Sequence, residues 1–225
     1  MAEDLKKLCA KEALKYIKNN SIVGLGGGST ISHLINYIKE DRNIKVKVVT
    51  PSEKTRMLCI ENGLEVLYTS DLDKVDVAFD GCDEVDHKLN ALKSGGGIHT
   101  KEKLIASMAE EYVLLVDESK VSESLAFKHP VVLEILRDGL KYVEKEVRKL
   151  GGEPSLRTST SKDGFTISDN GNLLMDVKFE KTEDITGLEN KLMKIKGVID
   201  TSLFVNVVTK AIVISESGVR TIEAI

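Results

Sequence analysis

Two hydrophobic periods alternate along the first half of the chain. Leu5, Leu8, Ala13, Leu14 and Ile17 recur at helical spacing over residues 3–19, with lysines between them. Ser21-Ile22-Val23-Gly24-Leu25 reads as a short buried strand. It runs into a glycine-rich turn and a second helix with Ile31, Leu34, Ile35 and Ile38 on one face. Val46, Val48 and Val49 predict another strand. It ends at Thr50-Pro51-Ser52-Glu53, which predicts a helix start: Thr50 as N-cap, proline in the first turn, glutamate three residues past the cap. Residues 75–79 and 112–116 are two more apolar strands, closed by Asp80 and Asp117. Strands alternating with helices predict an α/β fold, a mainly parallel sheet covered on both faces.

The texture changes after about residue 129. The pattern predicts a helix near 131–149, ending at Gly151-Gly152. Strand-like runs at 155–160, 165–168 and 172–179 follow, the last two separated by Asp169-Asn170-Gly171, and Asn-Gly between such runs is a strong hairpin signal. A helix over 188–195 and two strands, 201–205 and 211–215, finish the chain. Residues 129–207 thus read as a small antiparallel α+β domain. Residues 1–128 and 208–225 form the larger one, and no repeat or low-complexity segment interrupts them.

Composition narrows the function. Of 225 residues, 41% are hydrophobic and 30% charged, an ordinary globular balance. A net charge of −4 argues against a nucleic-acid binder, which needs a basic footprint. Cys9, Cys59 and Cys82 are far apart, contain no C-x-x-C pair and suggest neither zinc nor a disulfide framework; reduced thiols are the expectation. The start, Met1-Ala2-Glu3-Asp4-Leu5-Lys6-Lys7, has no apolar signal core, and no apolar run approaches the ~20 residues of a membrane span. A cytoplasmic protein with no membrane partner is expected.

Gly24-Leu25-Gly26-Gly27-Gly28-Ser29-Thr30 joins a strand to a helix. Glycines let backbone N–H groups approach a phosphate closely, and the helix N-terminus adds positive potential. Gly27, Gly28, Ser29 and Thr30 are therefore candidate anion ligands. Ser29 stands where a dinucleotide fingerprint wants glycine, and no acidic residue closes the second strand. The Walker A pattern is absent too.

Asp80-Gly81-Cys82-Asp83-Glu84-Val85-Asp86 follows the strand at 75–79. Four carboxylates in seven residues repel one another and resist burial unless cations or a task hold them there. The C-terminal edge of a parallel sheet is where open α/β folds bind ligands. Lys93-Ser94-Gly95-Gly96-Gly97 comes next, and then Thr100-Lys101-Glu102-Lys103 opens a helix. A solvated acidic loop and a plain turn are the simpler readings of each motif alone. Calcium is disfavoured, because the EF-hand order of ligands is missing and Lys93 would oppose a cation. The four histidines, His33, His87, His99 and His129, show no metal spacing.

Taken together, these motifs resemble the ribose-5-phosphate isomerase A family. The likeness continues through Asp117-Glu118-Ser119-Lys120, Lys149-Leu150-Gly151-Gly152, Asp169-Asn170-Gly171-Asn172 and Gly218-Val219-Arg220-Thr221-Ile222, in order and over nearly the whole chain. The resemblance implies a doubly wound, mainly parallel sheet domain with a second, smaller ferredoxin-like α+β domain, in a homodimer or homotetramer. It implies interconversion of ribose 5-phosphate and ribulose 5-phosphate, with no cofactor and no metal. Carried over by motif, Glu102 is the proton-shuttling glutamate, Asp80 and Asp83 the loop aspartates and Lys93 the active-site lysine. Gly27, Gly28, Ser29, Thr30, Gly81, Cys82, Ser94, Gly95, Gly96 and Lys120 would contact the substrate. The chain departs from the family pattern at Gly27, usually threonine, at Cys82, usually alanine, and at Ser94, usually glycine.

The implied chemistry suits these residue types. A carboxylate can lift a proton from one carbon of a planar enediolate and return it to the next. A lysine can meet the charge that develops on the carbonyl oxygen, and a remote phosphate grip holds the reacting carbons in place. Asp80 and Asp83 are expected to orient hydroxyls and to assist ring opening. Rivals are a related sugar-phosphate isomerase, a CoA transferase, or a sugar-phosphate-binding protein with weakened catalysis.

Overall fold

A computed structural model describes residues 3–180 and 182–223. In chain order, α1 (Glu3–Leu14), β1 (Ile22–Leu25), α2 (Ser29–Glu40), β2 (Lys47–Val49), α3 (Glu53–Glu61), β3 (Glu65–Val66) and β4 (Val75–Asp80) alternate. Then come β5 (Glu84–Asp86), β6 (Ala91–Leu92), α4 (His99–Met108), β7 (Ala109–Asp117) and β8 (Val121–Ser122). The middle of the chain supplies β9 (Val131–Ile135), α5 (Leu140–Lys149), β10 (Glu153–Leu156), β11 (Thr158–Ser159), β12 (Lys162–Phe165), β13 (Leu173–Lys178) and α6 (Ile185–Met193). The last strands are β14 (Val198–Thr201), β15 (Leu203–Phe204), β16 (Lys210–Ser215) and β17 (Gly218–Glu223).

Seven strands form one sheet in the order β17-β16-β7-β4-β1-β2-β3. All its pairings are parallel except that of β16 with β17. Ile31, Leu34, Ile35 and Ile38 of α2 pack with Cys9, Ala10 and Ala13 of α1 on one side, and Ile105 and Ala106 of α4 join the core on the other. The predicted α/β fold with helices on both faces is what forms. A second sheet, β10-β13-β9-β14, is wholly antiparallel and covers the apolar residues of α5 and α6. The short strands β15-β6-β5-β8 form a third. Among the described residues, no helix is long and apolar enough to cross a membrane.

Three local expectations need correction. Residues 131–135 are not helical: β9 is the inner strand between β13 and β14, and all five of its side chains are buried. A run of Val-Val-Leu-Glu-Ile buried on both faces suits a central strand, and amphipathic helical spacing begins only with Val143 and Val147 in α5. At the start of α3 the cap is Ser52, whose Oγ accepts from Thr55 N at 3.2 Å. Thr50 Oγ1, three residues before the helix begins, instead accepts from Ser52 N. After α6 the chain forms four strands where two were foreseen: the expected 201–205 run divides between the end of β14 and β15, and β17 pairs back along β16 from Ser215↔Gly218. The Asn170-Gly171 turn does form, with Gly171 at φ +83° and an Ile167↔Leu173 bridge beyond it.

Candidate active site

Parallel pairing of β1 with β4 sets Leu25 beside Phe79, so the glycine turn and the acidic loop leave the sheet next to each other. Gly26 N donates to Phe79 O at 2.8 Å, and Thr55 Oγ1 of α3 donates to Gly26 O at 2.8 Å. A Cβ on Gly26 would stand 2.0 Å from Asp80 Oδ1; only glycine lets the turn lie against that carboxylate. Gly28 ends the turn at φ +98° and precedes the first residue of α2, which has no side-chain cap.

Asp80 is buried where β4 ends. Its Oδ1 accepts from Gly81 N at 2.8 Å and from Gly27 N at 3.4 Å. Its Oδ2 accepts from Tyr112 Oη at 3.3 Å and lies 3.0 Å from Lys93 Nζ. The ammonium also lies 3.4 Å from Glu102 Oε1 and donates to Gly81 O. Two carboxylates and one ammonium therefore share a largely buried pocket floor. Burial alone would push the Lys93 ammonium down, but the charges of Asp80 and Glu102 hold it above the ordinary lysine value. Burial pushes the Glu102 carboxyl up to about 8, with Asp80 adding to the shift and Lys93 opposing it. Glu102 thus exchanges a proton near neutral pH, as a general base must.

Asp83 organises the second glycine loop. Its Oδ2 accepts from Ser94 N at 2.6 Å and Gly95 N at 2.9 Å. From the antiparallel sheet side, Arg157 donates to Ser94 O at 2.8 Å and Gly95 O at 3.3 Å, with Asp176 as its counter-charge at 2.6 Å. The remaining carboxylates of the acidic loop are also committed: Glu84 accepts from Ala126 N and His129 N, and Asp86 from Lys88 N and Asn90. Among the described residues, no group of three or more His, Cys, Asp or Glu side chains could hold a metal ion.

These groups surround a cavity of about 560 Å³. Of the residues singled out in the sequence, Gly27, Gly28, Asp80, Gly81, Cys82, Asp83, Lys93, Gly95, Gly96, Glu102 and Lys120 line it. Lys120 Nζ donates to Cys82 O at 2.6 Å. Ser29 and Thr30 lie in the first turn of α2, outside the lining. Ser94 is buried with its hydroxyl donating to Pro130 O at 2.5 Å, turned into the protein. His99 does not line the cavity either. It is fully buried, and burial with the neighbouring Lys103 charge pushes it down to about 4, so it is neutral. A larger recess of about 620 Å³ lies beside α5 and α6, lined by Lys149, Lys178 and Lys191 among others, but it contains none of the Asp80, Lys93 and Glu102 cluster.

Sequence reasoning missed several contributors. Tyr112 looked like plain core, yet its hydroxyl reaches Asp80; burial holds the phenol well above its usual pKa, so it stays a donor. Arg157 carried no motif, and Asp169 reaches the cavity only because the hairpin turn folds toward it. Ser52 and Glu53, read as a helix start, also line the cavity beside the glycine turn.

A family model described as ribose 5-phosphate isomerase A (phosphoriboisomerase A) matches residues 47–218. Ribose-5-phosphate isomerase A of Pyrococcus abyssi is 38% identical over 225 residues, 98% of each chain. That of Methanocaldococcus jannaschii is 38% identical over 226 residues, with the same coverage. The solved structure of ribose 5-phosphate isomerase A from Methanocaldococcus jannaschii superposes with a TM-score of 0.91 at 36% identity, over 98% of this chain and 99% of that one. A D-ribose-5-phosphate isomerase solved in complex with phospho-erythronic acid gives 0.94 at 36% identity, over 99% of both chains.

Proposed function

This chain belongs to the ribose 5-phosphate isomerase A family, and from that premise we propose that it interconverts ribose 5-phosphate and ribulose 5-phosphate through an enediolate, with Glu102 carrying the proton. The observation that supports this most is the buried Glu102–Lys93 contact at 3.4 Å on the cavity floor. When ionised Glu102 takes the proton from the carbon beside the carbonyl, the negative charge passes to the substrate oxygen. Both positions are within reach of the same ammonium, so Lys93 exchanges one anionic partner for another with little rearrangement. Glu102 then returns the proton to the neighbouring carbon.

Asp80 has its oxygens occupied by Lys93, Tyr112 and two backbone N–H groups, which suits it to hold Lys93 in place. Asp83 lines the cavity and uses only Oδ2 on the glycine loop, so its other oxygen is the one we assign to a substrate hydroxyl and to ring opening. The phosphate is assigned to the end of the glycine turn at Gly27 and Gly28 and to the start of α2 at Ser29 and Thr30, with Lys120 lining the same cavity. Residues 129–207 are kept as the smaller unit, since every strand of the antiparallel sheet lies between Val131 and Thr201.

The test is deuterium incorporation at the substrate carbon beside the carbonyl, followed in D₂O. Glu102→Gln keeps the side chain's size but cannot accept the proton, and turnover and exchange should both fall by about 10²- to 10⁴-fold. Exchange at the wild-type rate in that variant would assign the base elsewhere.

A further inference from the structure

Glu134 is 1% exposed on the inner strand of the antiparallel sheet, a charge within an otherwise apolar run. Its Oε2 accepts from Thr100 Oγ1 at 2.5 Å. Its Oε1 accepts from Ser168 Oγ at 2.8 Å, Asn172 Nδ2 at 2.7 Å and Asn170 Nδ2 at 3.0 Å. All four donors are neutral side chains, and among the described residues Glu134 forms no ion pair. Burial raises the carboxyl, but these hydrogen bonds more than reverse that and leave it below the usual glutamate value, hence ionised at neutral pH. A buried carboxylate without a cation is a poor device for stability, because a well-packed apolar side chain serves as well or better.

What the carboxylate does, and an apolar side chain could not, is join three segments at the cavity. Thr100 lies in the first turn of α4, two residues before Glu102. Ser168 and Asn170 flank Asp169, which lines the cavity. Lys101, between Thr100 and Glu102, pairs with Asp169 at 3.4 Å and closes the same circuit.

We propose that Glu134 is a positioning residue: through Thr100 it fixes the first turn of α4, and so the reach of Glu102 toward the substrate, while the same carboxylate holds the turn bearing Asp169. The assignment rests on Glu102 as the base. A displacement of about 1 Å at a reacting group can cost about 10²-fold, so loss of one tether among several is expected to cost about tenfold.

The experiment is a double-mutant cycle read in kcat and KM for ribose 5-phosphate. Thr100→Val, which keeps the shape and removes the hydroxyl, should lower kcat about tenfold with KM within about twofold of wild type. Thr100→Ser, which keeps the hydroxyl, should recover most of that loss. In a Glu102→Gln background Thr100→Val should cost nothing further, because the group it positions no longer acts. Glu134→Gln should lower kcat at least as much as Thr100→Val; if that variant does not fold, the Thr100 pair decides alone. Wild-type kcat in Thr100→Val, or an equal loss in both backgrounds, overturns the proposal. Wild-type turnover in Glu102→Gln alone would overturn the base assignment instead.

Discussion

The Glu102 carboxylate stands 3.4 Å from the Lys93 ammonium, and neither side chain is more than 10% exposed. Out of water, each sets the proton affinity of the other. Glu102 is pushed up to about 8, and it is a base only above that value. The profile of kcat/KM should therefore rise with pH and level off above about 8. Lys93 opposes the shift, so Lys93→Met should move the rise to higher pH as well as lowering the rate. Asp80 adds to the shift, so Asp80→Asn should move it to lower pH. A wild-type profile flat from about pH 6 to about 9 would contradict this assignment.

Gly26 is the glycine whose replacement should do most harm. The Cβ of Gly26→Ala would fall 2.0 Å from Asp80 Oδ1, so the carboxylate, the turn or both must move. Overpacking of this kind costs about 1–3 kcal/mol, read as a lower Tm. Displaced Asp80 also releases its hold on Lys93, and kcat should fall by about 10²-fold. A variant with wild-type kcat would show that Asp80 can shift without consequence.

Gly27→Thr should have the opposite effect. Nothing lies nearer to a Cβ there than Ser52 Oγ at 4.0 Å, and the backbone is not left-handed, so the side chain fits without strain. A hydroxyl at the cavity wall should add one hydrogen bond to the phosphate, up to about 1 kcal/mol or about fivefold in KM. Titration of folded variant with ribose 5-phosphate decides it: an unchanged or higher KM places the phosphate away from this turn.

Cys82 lines the cavity, yet it should resist thiol reagents. Burial pushes its thiol up to about 12, with Lys93 and Lys120 only partly opposing. At pH 8 roughly one molecule in 10⁴ carries the reactive thiolate. Incubation of native protein with a disulfide reagent should leave isomerase activity unchanged over the time in which unfolded protein is fully labelled. Rapid inactivation with labelling at Cys82 would show the thiol to be accessible.

The parts of this site that could be read in the sequence are those contained in short segments. Gly24 to Thr30, Asp80 to Asp86 and Lys93 to Gly97 each carry their chemistry within about seven residues, and the alternation of strand and helix brings their ends to one sheet edge. Relations between distant residues left no local trace. Tyr112 is core by every sequence criterion, and only the register of β4 against β7 brings its hydroxyl to Asp80. Glu134 did leave a signal, a lone charge in an apolar run. It was hidden by extending the helix of α5 backward over residues that form β9. Ser94 stands where the resembled family usually has glycine, and nothing nearby in sequence tells that its hydroxyl is satisfied by a carbonyl 36 residues away.

The peptide joining Ser94 to Gly95 is gripped at both ends by different layers of the molecule. Its N–H is held by Asp83, beside the parallel sheet, and its carbonyl by Arg157 from the antiparallel sheet. A tilt of one layer against the other would draw these two atoms apart, and a planar amide cannot stretch to follow. The glycine loop therefore acts as a rivet through both layers. Amide protons on either side of it should exchange with solvent in one concerted opening, and the cavity should lose its shape only when the layers part.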